Sequence, residues 1–243
     1  MSSYNTFALF YDRLTENVEY QVRSEYISNF FSQYNKPNCK VLDLACGTGS
    51  ISRYLCEKGY MVYGIDLSED MLTVASSKQI PNLTLLKGDM RQFELPEKVD
   101  ACVCSLDAIN HLTSFSDVSE CFGCVNDNLN ENGIFIFDVN TQYKHREVLF
   151  NNTFVFDEED FYLVWDNCYL ENDIVEITLD LFVFNGKNYD RYFEQFSEKA
   201  YSVKDLKEAL VYNNFEILGV YDELTENQPR EDSERLYFVC RKV

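Results

Sequence analysis

The residues of this chain best suited to chemistry are four aspartates and a glycine turn. Val41-Leu42-Asp43-Leu44-Ala45-Cys46-Gly47-Thr48-Gly49 is a short apolar run that carries one acid and ends in a bend holding two glycines. Without a Cβ, glycine lets a ligand lie against the main chain and opens left-handed φ values to it. Ser50 to Lys58 reads as a helix that Gly59 ends, and a helix start leaves N–H groups free for a carboxylate or a phosphate. A second apolar run, Tyr60 to Ile65, closes at Asp66, 17 residues after Gly49. A carboxylate at that place can accept both hydroxyls of a cis-diol. Leu83 to Leu86 leads into Lys87-Gly88-Asp89-Met90, and Val99 to Ser105 leads into Leu106-Asp107-Ala108-Ile109-Asn110-His111. Strands and helices alternating at this interval build a parallel sheet, whose carboxyl edge lines the ligand crevice. Asp43, Asp66, Asp89 and Asp107 therefore fall at or near one edge. Each of them alone reads equally well as a capping acid on a solvated face, so the case rests on the ordered spacing of all four.

Two cofactor classes compete for such a loop. Dinucleotide enzymes use G-x-G-x-x-G, whereas this chain has Gly47-Thr48-Gly49-Ser50-Ile51-Ser52, with Ser52 in place of the third glycine. Asp43 stands four residues before the first glycine, where an anion opposes a pyrophosphate but suits a ligand bearing an ammonium group. An acid followed by x-x-x-G-x-G resembles the first motif of the class I S-adenosylmethionine-dependent methyltransferases, and Asp43 to Gly49 matches it position for position. The resemblance implies a Rossmann-like α/β fold and S-adenosylmethionine as cofactor. It implies cofactor contacts from Tyr11, Asp43, Ala45, Gly47, Gly49, Asp66, Leu67, Asp89, Met90 and Leu106. Within that set Asp66 takes the ribose hydroxyls, Asp89 the adenine amino group, and the Met90 backbone the ring edge. Tyr4, Phe7-Ala8 and Tyr11-Asp12 also resemble the amino-terminal segment of small-molecule N-methyltransferases, which folds over the cofactor.

Methyl transfer from a sulfonium is an in-line displacement, so positioning and exclusion of water carry much of the rate. An ammonium or hydroxyl acceptor also needs a base. His111, after the fourth strand, has an ordinary pKa near neutrality and is the natural candidate; Asp107 could orient an amine, and His145 has less in its favour. The expected activity is methyl transfer to an amine or a hydroxyl of a small molecule. A nicotinamide-dependent oxidoreductase and a non-catalytic adenosylmethionine-binding protein remain as alternatives.

Composition narrows the partners. The chain has 243 residues, 21 basic against 41 acidic, for a formal charge of −20, a potential that repels polyanions and anionic membranes. No cluster of basic residues with interleaved aromatics occurs, so neither nucleic acid nor membrane is expected as a partner. Nine cysteines, set mostly in apolar runs such as those around Cys46, Cys102, Cys104 and Cys240, point to reduced packing residues and a cytoplasmic protein. Cys121-Phe122-Gly123-Cys124 has metal-ligand spacing but no second pair, and no metal is expected.

The elements that must hold these residues follow from hydrophobic period. Residues 4 to 34 read as helices covering a sheet, and residues 38 to 140 as the cofactor half, closing with a helix from Phe115 to Leu129, a turn at Asn130 to Gly133 and a strand to Val139. From Tyr143 the period becomes that of strands: Val175, Ile177, Leu179, Leu181 and Val183 alternate with Glu176, Thr178, Asp180 and Phe182. Asn185-Gly186 suggests a hairpin with φ > 0 at both central positions. Phe154, Phe156, Phe161, Tyr162, Trp165 and Tyr169 give the insertion an aromatic face that could roof the strand ends. A helix from Ser202 to Tyr212 and strands from Phe215 and Arg235 complete the chain. The resemblance gives a seven-stranded order 3-2-1-4-5-7-6 with the last strand antiparallel. Residues 1–142 and 200–243 are then the methyltransferase domain and 143–199 an antiparallel β insertion acting as a substrate lid.

Overall fold

The computed structural model describes residues 4–243, with side chains from Phe7 onward, so the Tyr4 side chain lies outside the described residues. The amino-terminal stretch forms two helices, α1 (Tyr4–Leu14) and α2 (Tyr20–Gln33). The cofactor half follows as β1 (Lys40–Leu44), α3 (Ser50–Glu57), β2 (Met61–Asp66), α4 (Glu69–Ser77), β3 (Leu83–Lys87), β4 (Val99–Cys104), α5 (Phe115–Asn128) and β5 (Leu129–Asn140). The insertion contributes β6 (Thr153–Asp157), β7 (Phe161–Tyr169), β8 (Ile174–Phe184) and β9 (Tyr189–Lys199). The chain ends with α6 (Val203–Tyr212), β10 (Phe215–Asp222) and β11 (Arg235–Lys242). The main sheet has seven strands in the order β10-β11-β5-β4-β1-β2-β3, with β11 antiparallel to both neighbours. This is the expected order 3-2-1-4-5-7-6.

Side-chain alternation explains why helices cover both faces. In β1 and β4, Leu42, Leu44, Cys102 and Cys104 point to one side, where α5 and α6 pack with Phe122, Leu206 and Leu210. Val41, Ala101 and Val103 point to the other, against Ile27, Phe31, Ile51 and Leu55 of α2 and α3. β1 and β4 are adjacent and parallel, yet the chain winds from β1 toward β2 and β3 on one side and from β4 toward β5 on the other. Their shared carboxyl end is thus the switch point where open α/β sheets bind ligands.

The insertion is a separate four-stranded antiparallel meander, β6-β7-β8-β9. Its apolar face divides between Phe161, Leu163 and Leu181, which pack on Phe7, Phe10 and Leu14 of α1, and Val175 and Ile177, which pack with Leu149 and Trp165.

Two local expectations are corrected. Asn130 to Gly133 does not separate helix from strand: β5 starts at Leu129, and the extra residues form an irregularity between the Val99↔Leu129 and Ala101↔Ile134 pairs, with Asn132 at φ 59°. Pairing with β4 is strong enough to absorb the turn as a bulge. In the β8–β9 hairpin only Gly186 is left-handed, at φ 91°. Asn185 instead accepts from the Lys187 and Asn188 amides at 3.1 and 2.9 Å, an Asx-type turn that needs no positive φ of its own.

Candidate active site

The glycine loop leaves β1 with Ala45, Gly47 and Gly49 all left-handed, at φ 59°, 54° and 77°. The two glycines have different surroundings. A Cβ at Gly47 would meet nothing within 4 Å, whereas one at Gly49 would lie 3.4 Å from the Ala75 Cβ and 3.6 Å from side-chain atoms of Ile80 and Leu83. Gly47 therefore borders open space, and Gly49 permits close packing of the loop on α4 and β3.

Asp66 closes β2 beside this opening. Its Oδ2 accepts from the Gly47 amide at 2.7 Å and its Oδ1 from the Ser68 amide at 2.8 Å. A carboxylate offers about four lone-pair sites, so each oxygen keeps capacity for one hydroxyl of a diol. Leu67, next to it, is 65% exposed, an apolar surface with no protein over it. Both features fit a nucleoside.

Asp43 departs from its expected role as an anion facing the ligand. Its side chain lies on the α3 face of β1, 2% exposed, and accepts from Ser52 Oγ at 2.5 Å. Burial raises its pKa to about 7, against the help of the Ser52 hydrogen bond. The serine standing where dinucleotide enzymes have a third glycine is thus the partner of the motif acid. Asp89 follows β3, and its carboxylate is held by the Arg91 guanidinium at 2.6 to 3.2 Å; any adenine contact must share those oxygens. Met90 is partly buried against the core beside β3.

After β4 the backbone is strained at two consecutive residues, Leu106 (φ 60°) and Asp107 (φ 55°). Asp138, fully buried on β5, holds them: its carboxylate accepts from the Leu106 amide at 2.8 Å and the Asp107 amide at 3.1 Å. The Asp107 side chain is not free. Arg235 on β11 donates to it at 2.6 Å and also pairs with Asp138. Burial opposes the charge on Asp107, but Arg235 and Lys144 outweigh it and hold the acid down to about 2. An acid so committed is a poor base. Arg235 extends to Glu223 at 3.5 Å, and Glu223 to Arg23 of α2 at 2.6 Å.

His111 ends a short 3-10 turn, Ala108–His111, that Asn110 fixes in place by donating to the Asn140 and Lys199 carbonyls at 3.1 and 2.9 Å. The insertion's last strand thereby abuts the carboxyl edge of the main sheet. The His111 ring lies on Phe196, 5.0 Å between centroids. Its side chain keeps 45% exposure, and desolvation lowers its pKa against the pull of Asp107 and Asp66. His145, by contrast, is fully buried.

From above, α1 covers the glycine loop. Asp12 accepts from Thr48 Oγ1 at 2.5 Å and Ser50 Oγ at 3.1 Å, and pairs with Lys78 at 2.6 Å. Tyr11, one residue away, is partly buried, and burial, then Tyr20 and the Asp107, Asp66 and Asp12 carboxylates, raise its pKa so that the hydroxyl stays protonated. The structure thus gathers Tyr11, Ala45, Gly47, Asp66, Leu67, Leu106 and Asp107 near the β1/β4 switch point. It turns Asp43 and the Gly49 Cα away into packing. Sequence reading missed the roles of Asp12 as a latch, Ser52, Asp138, Arg235 and Glu198; of these Ser52 stood inside the glycine motif and Asp12 in the amino-terminal segment, and the other three carried no local signal.

Cys124 is explained without metal: its thiol donates to the Phe93 carbonyl at 3.2 Å, and Cys121 is buried in α5. Among the described residues no cluster of three or more His, Cys, Asp or Glu side chains could hold a metal ion, and no helix is long and apolar enough to cross a membrane.

Comparison with known proteins agrees with this geometry. A methyltransferase domain family matches residues 41–133. A Bacillus subtilis protein, YqeM, named as a methyltransferase, is 35% identical over 98% of this chain and 97% of its own length. The crystal structure of an S-adenosylmethionine-dependent methyltransferase from Clostridium acetobutylicum is similar at 32% identity, covering 99% of each chain with a TM-score of 0.90. A dTDP-3-amino-3,4,6-trideoxy-α-D-glucopyranose N,N-dimethyltransferase of Streptomyces venezuelae is 28% identical over 55% of each chain. The chain belongs to the class I S-adenosylmethionine-dependent methyltransferases. Its cofactor is S-adenosylmethionine.

Proposed function

We propose that the enzyme transfers the methyl group to an amine, or failing that a hydroxyl, of a small molecule admitted between the β4 edge and the insertion. The observation that carries this reading is the open space over Gly47, bordered by Asp66 and covered by α1. It fits a nucleoside on the main chain whose reactive end points toward His111. S-adenosylmethionine supplies an activated methyl group on a sulfonium; the chain's residues supply the rest. Gly47 and Ala45 give the nucleoside its bed, Asp66 takes the ribose diol, Leu67 packs on the adenine, and Asp89 and Met90 sit at the ring edge. Tyr11, on α1, closes the site against water. The insertion forms the far wall as a lid, and His111 is the group placed to remove a proton from the acceptor. The amino-sugar methyltransferase among the relatives supports an amine acceptor.

The test has two arms. Adenosylmethionine raises the Tm of the wild-type protein, and Asp66→Ala abolishes that rise; an undiminished rise in the variant would contradict the placement of the ribose. Labelled methyl transfer is then followed over a panel of amino sugars, alkylamines and alcohols. Turnover confined to protein or nucleic acid would overturn the acceptor class.

A further inference from the structure

Behind His111 the insertion buries an acid that, among the described residues, has no counter-ion of its own. Glu198, on β9, is 3% exposed. Its Oε1 lies 3.7 Å from His111 Nε2 and its Oε2 3.9 Å from His145 Nε2, and Asn140 donates to Oε2 at 3.3 Å. The cations nearby are already matched: Arg235 by Asp107 and Asp138, and Arg23 by Glu223. Lys144 donates to Asn140 Oδ1 at 3.0 Å and is within electrostatic reach of Asp107 and Glu223 as well as Glu198.

His145 reports what state this acid prefers. Its Nδ1 lies 2.9 Å from the Asp173 carbonyl, which can only accept, so Nδ1 carries the hydrogen. Its Nε2 then bears a lone pair that is buried with no hydrogen-bond partner among the described residues, and Glu198 Oε2 lies 3.9 Å from it. A lone pair facing a carboxylate is repelled; facing a carboxylic acid it is attracted. The chain's two histidines therefore bracket one acid in a place that favours a bound proton.

We propose that Glu198 is the positioning residue of a proton relay: with its own proton turned to His145, it accepts from His111 Nε2–H and fixes the tautomer in which that ring takes the proton lost by the methyl acceptor. The inference rests on the reading of His111 as the group that meets the acceptor. With Nε2–H turned to Glu198, the His111 lone pair is on Nδ1. The acceptor's N–H (or O–H) bond breaks and an Nδ1–H bond forms, while the Nε2 hydrogen stays on the ring and is shared with Glu198 Oε1. One proton moves, the ring ends as an imidazolium beside the Glu198 carboxyl group, Glu198 keeps its own proton, and nothing is oxidised or reduced. The 3.7 Å gap closes by a small rotation of the half-exposed ring, in keeping with the loose catalytic contacts of ligand-free sites. Burial, then the Asp107 charge, pushes Glu198 up to about 8 against the Asn140 hydrogen bond and the Arg235 and Lys144 charges, so the acid holds its proton at neutral pH, as this arrangement needs, and loses it as pH rises. The other charged groups facing the trio are Asp66 at His111 and Asp173 with its partner Arg146 at His145.

The test needs neither acceptor nor turnover. With two histidines, the imidazole signals of the full-length protein form a two-line NMR spectrum that can be titrated from pH 5 to 10. In the wild-type protein both rings shift with a common inflection near pH 8, because Glu198 ionises within 4 Å of each, and the nitrogen shifts give His145 as Nδ1–H and His111 as Nε2–H. Glu198→Gln removes the common inflection and leaves the lower one of His111. Rings that titrate independently in the wild type, or a common inflection that survives in Glu198→Gln, overturn the relay, and the wild-type measurement stands even if the variant does not fold. Adenosylmethionine stabilisation on the same samples separates the two levels. Wild-type protein that binds the cofactor but lacks the shared inflection refutes the relay alone, whereas protein with the inflection but no binding refutes the site assignment beneath it.

Discussion

Replacing Gly47 by alanine separates what the glycine does for the fold from what it does for the ligand. The added methyl group meets no protein atom within 4 Å, so no clash arises in the free protein. The remaining cost is conformational: at φ 54° an L residue loses roughly 1–2 kcal/mol. For a chain of 243 residues, at about 2–4 °C per kcal/mol, Tm falls by about 2–8 °C. The ligand term is separate. Adenosylmethionine at about 100 times its Kd stabilises the wild type by about 2.7 kcal/mol. A methyl group intruding on a close-packed nucleoside costs roughly 1–3 kcal/mol, which lowers that stabilisation to between about 0.3 and 1.8 kcal/mol at the same concentration. Gly186→Ala is the matched control, because it too is left-handed, at φ 91°, with nothing within 4 Å of a Cβ, but it stands at the tip of the insertion hairpin. Differential scanning fluorimetry with and without adenosylmethionine reads both variants. Gly47→Ala loses between about a third and about nine tenths of the ligand-induced stabilisation and Gly186→Ala keeps all of it. A full rise in Gly47→Ala would refute the placement of the ligand over this loop.

Two further outcomes follow from the buried charges. Asp138→Asn leaves Arg235 short of one partner and the Leu106 and Asp107 amides short of an acceptor; breaking such a buried pair costs about 3–5 kcal/mol, to be read from urea midpoints, and a loss under about 1 kcal/mol would show that the cluster does not hold the strained turn. Asp43 is raised from 3.8 to about 7 in the native state, so the folded protein binds more protons than the unfolded chain between those values, and stability falls as pH rises through that window by on the order of 4 kcal/mol from this group. Asp43→Asn removes the decline: its urea stability relative to wild type improves from pH 4 to 7 and is flat above. A difference that stays constant with pH would place the Asp43 charge in solvent.

The cofactor half was legible because its signals are local. Alternating apolar runs set β1 to β4, and the two glycines and the acids at the strand ends lie within one strand-turn-helix unit of each other, where chain geometry leaves few arrangements. Even so, two of those residues are oriented differently from the sequence reading. Asp43 was expected as an anion offered to the ligand, and Gly49 as a second bare surface; the direction of each side chain depends on which helix packs over it, and that is a property of the assembled layers.

Sequence alone determined where the strands lie and that their carboxyl ends form the crevice, because local periodicity and spacing record both; the sheet order and the cofactor class came from the family that the acid-and-glycine motif resembles. Tertiary structure alone decided the charges in the crevice. Arg235 reaches Asp107 across 128 positions of chain, Asp12 reaches Thr48 across 36, and Glu198 arrives between two histidines from a sheet that is not part of the cofactor domain's own winding. No periodic pattern records such meetings. They exist because burial removes the competing water, so that a carboxyl group takes its proton affinity from whichever neighbours the fold brings to it.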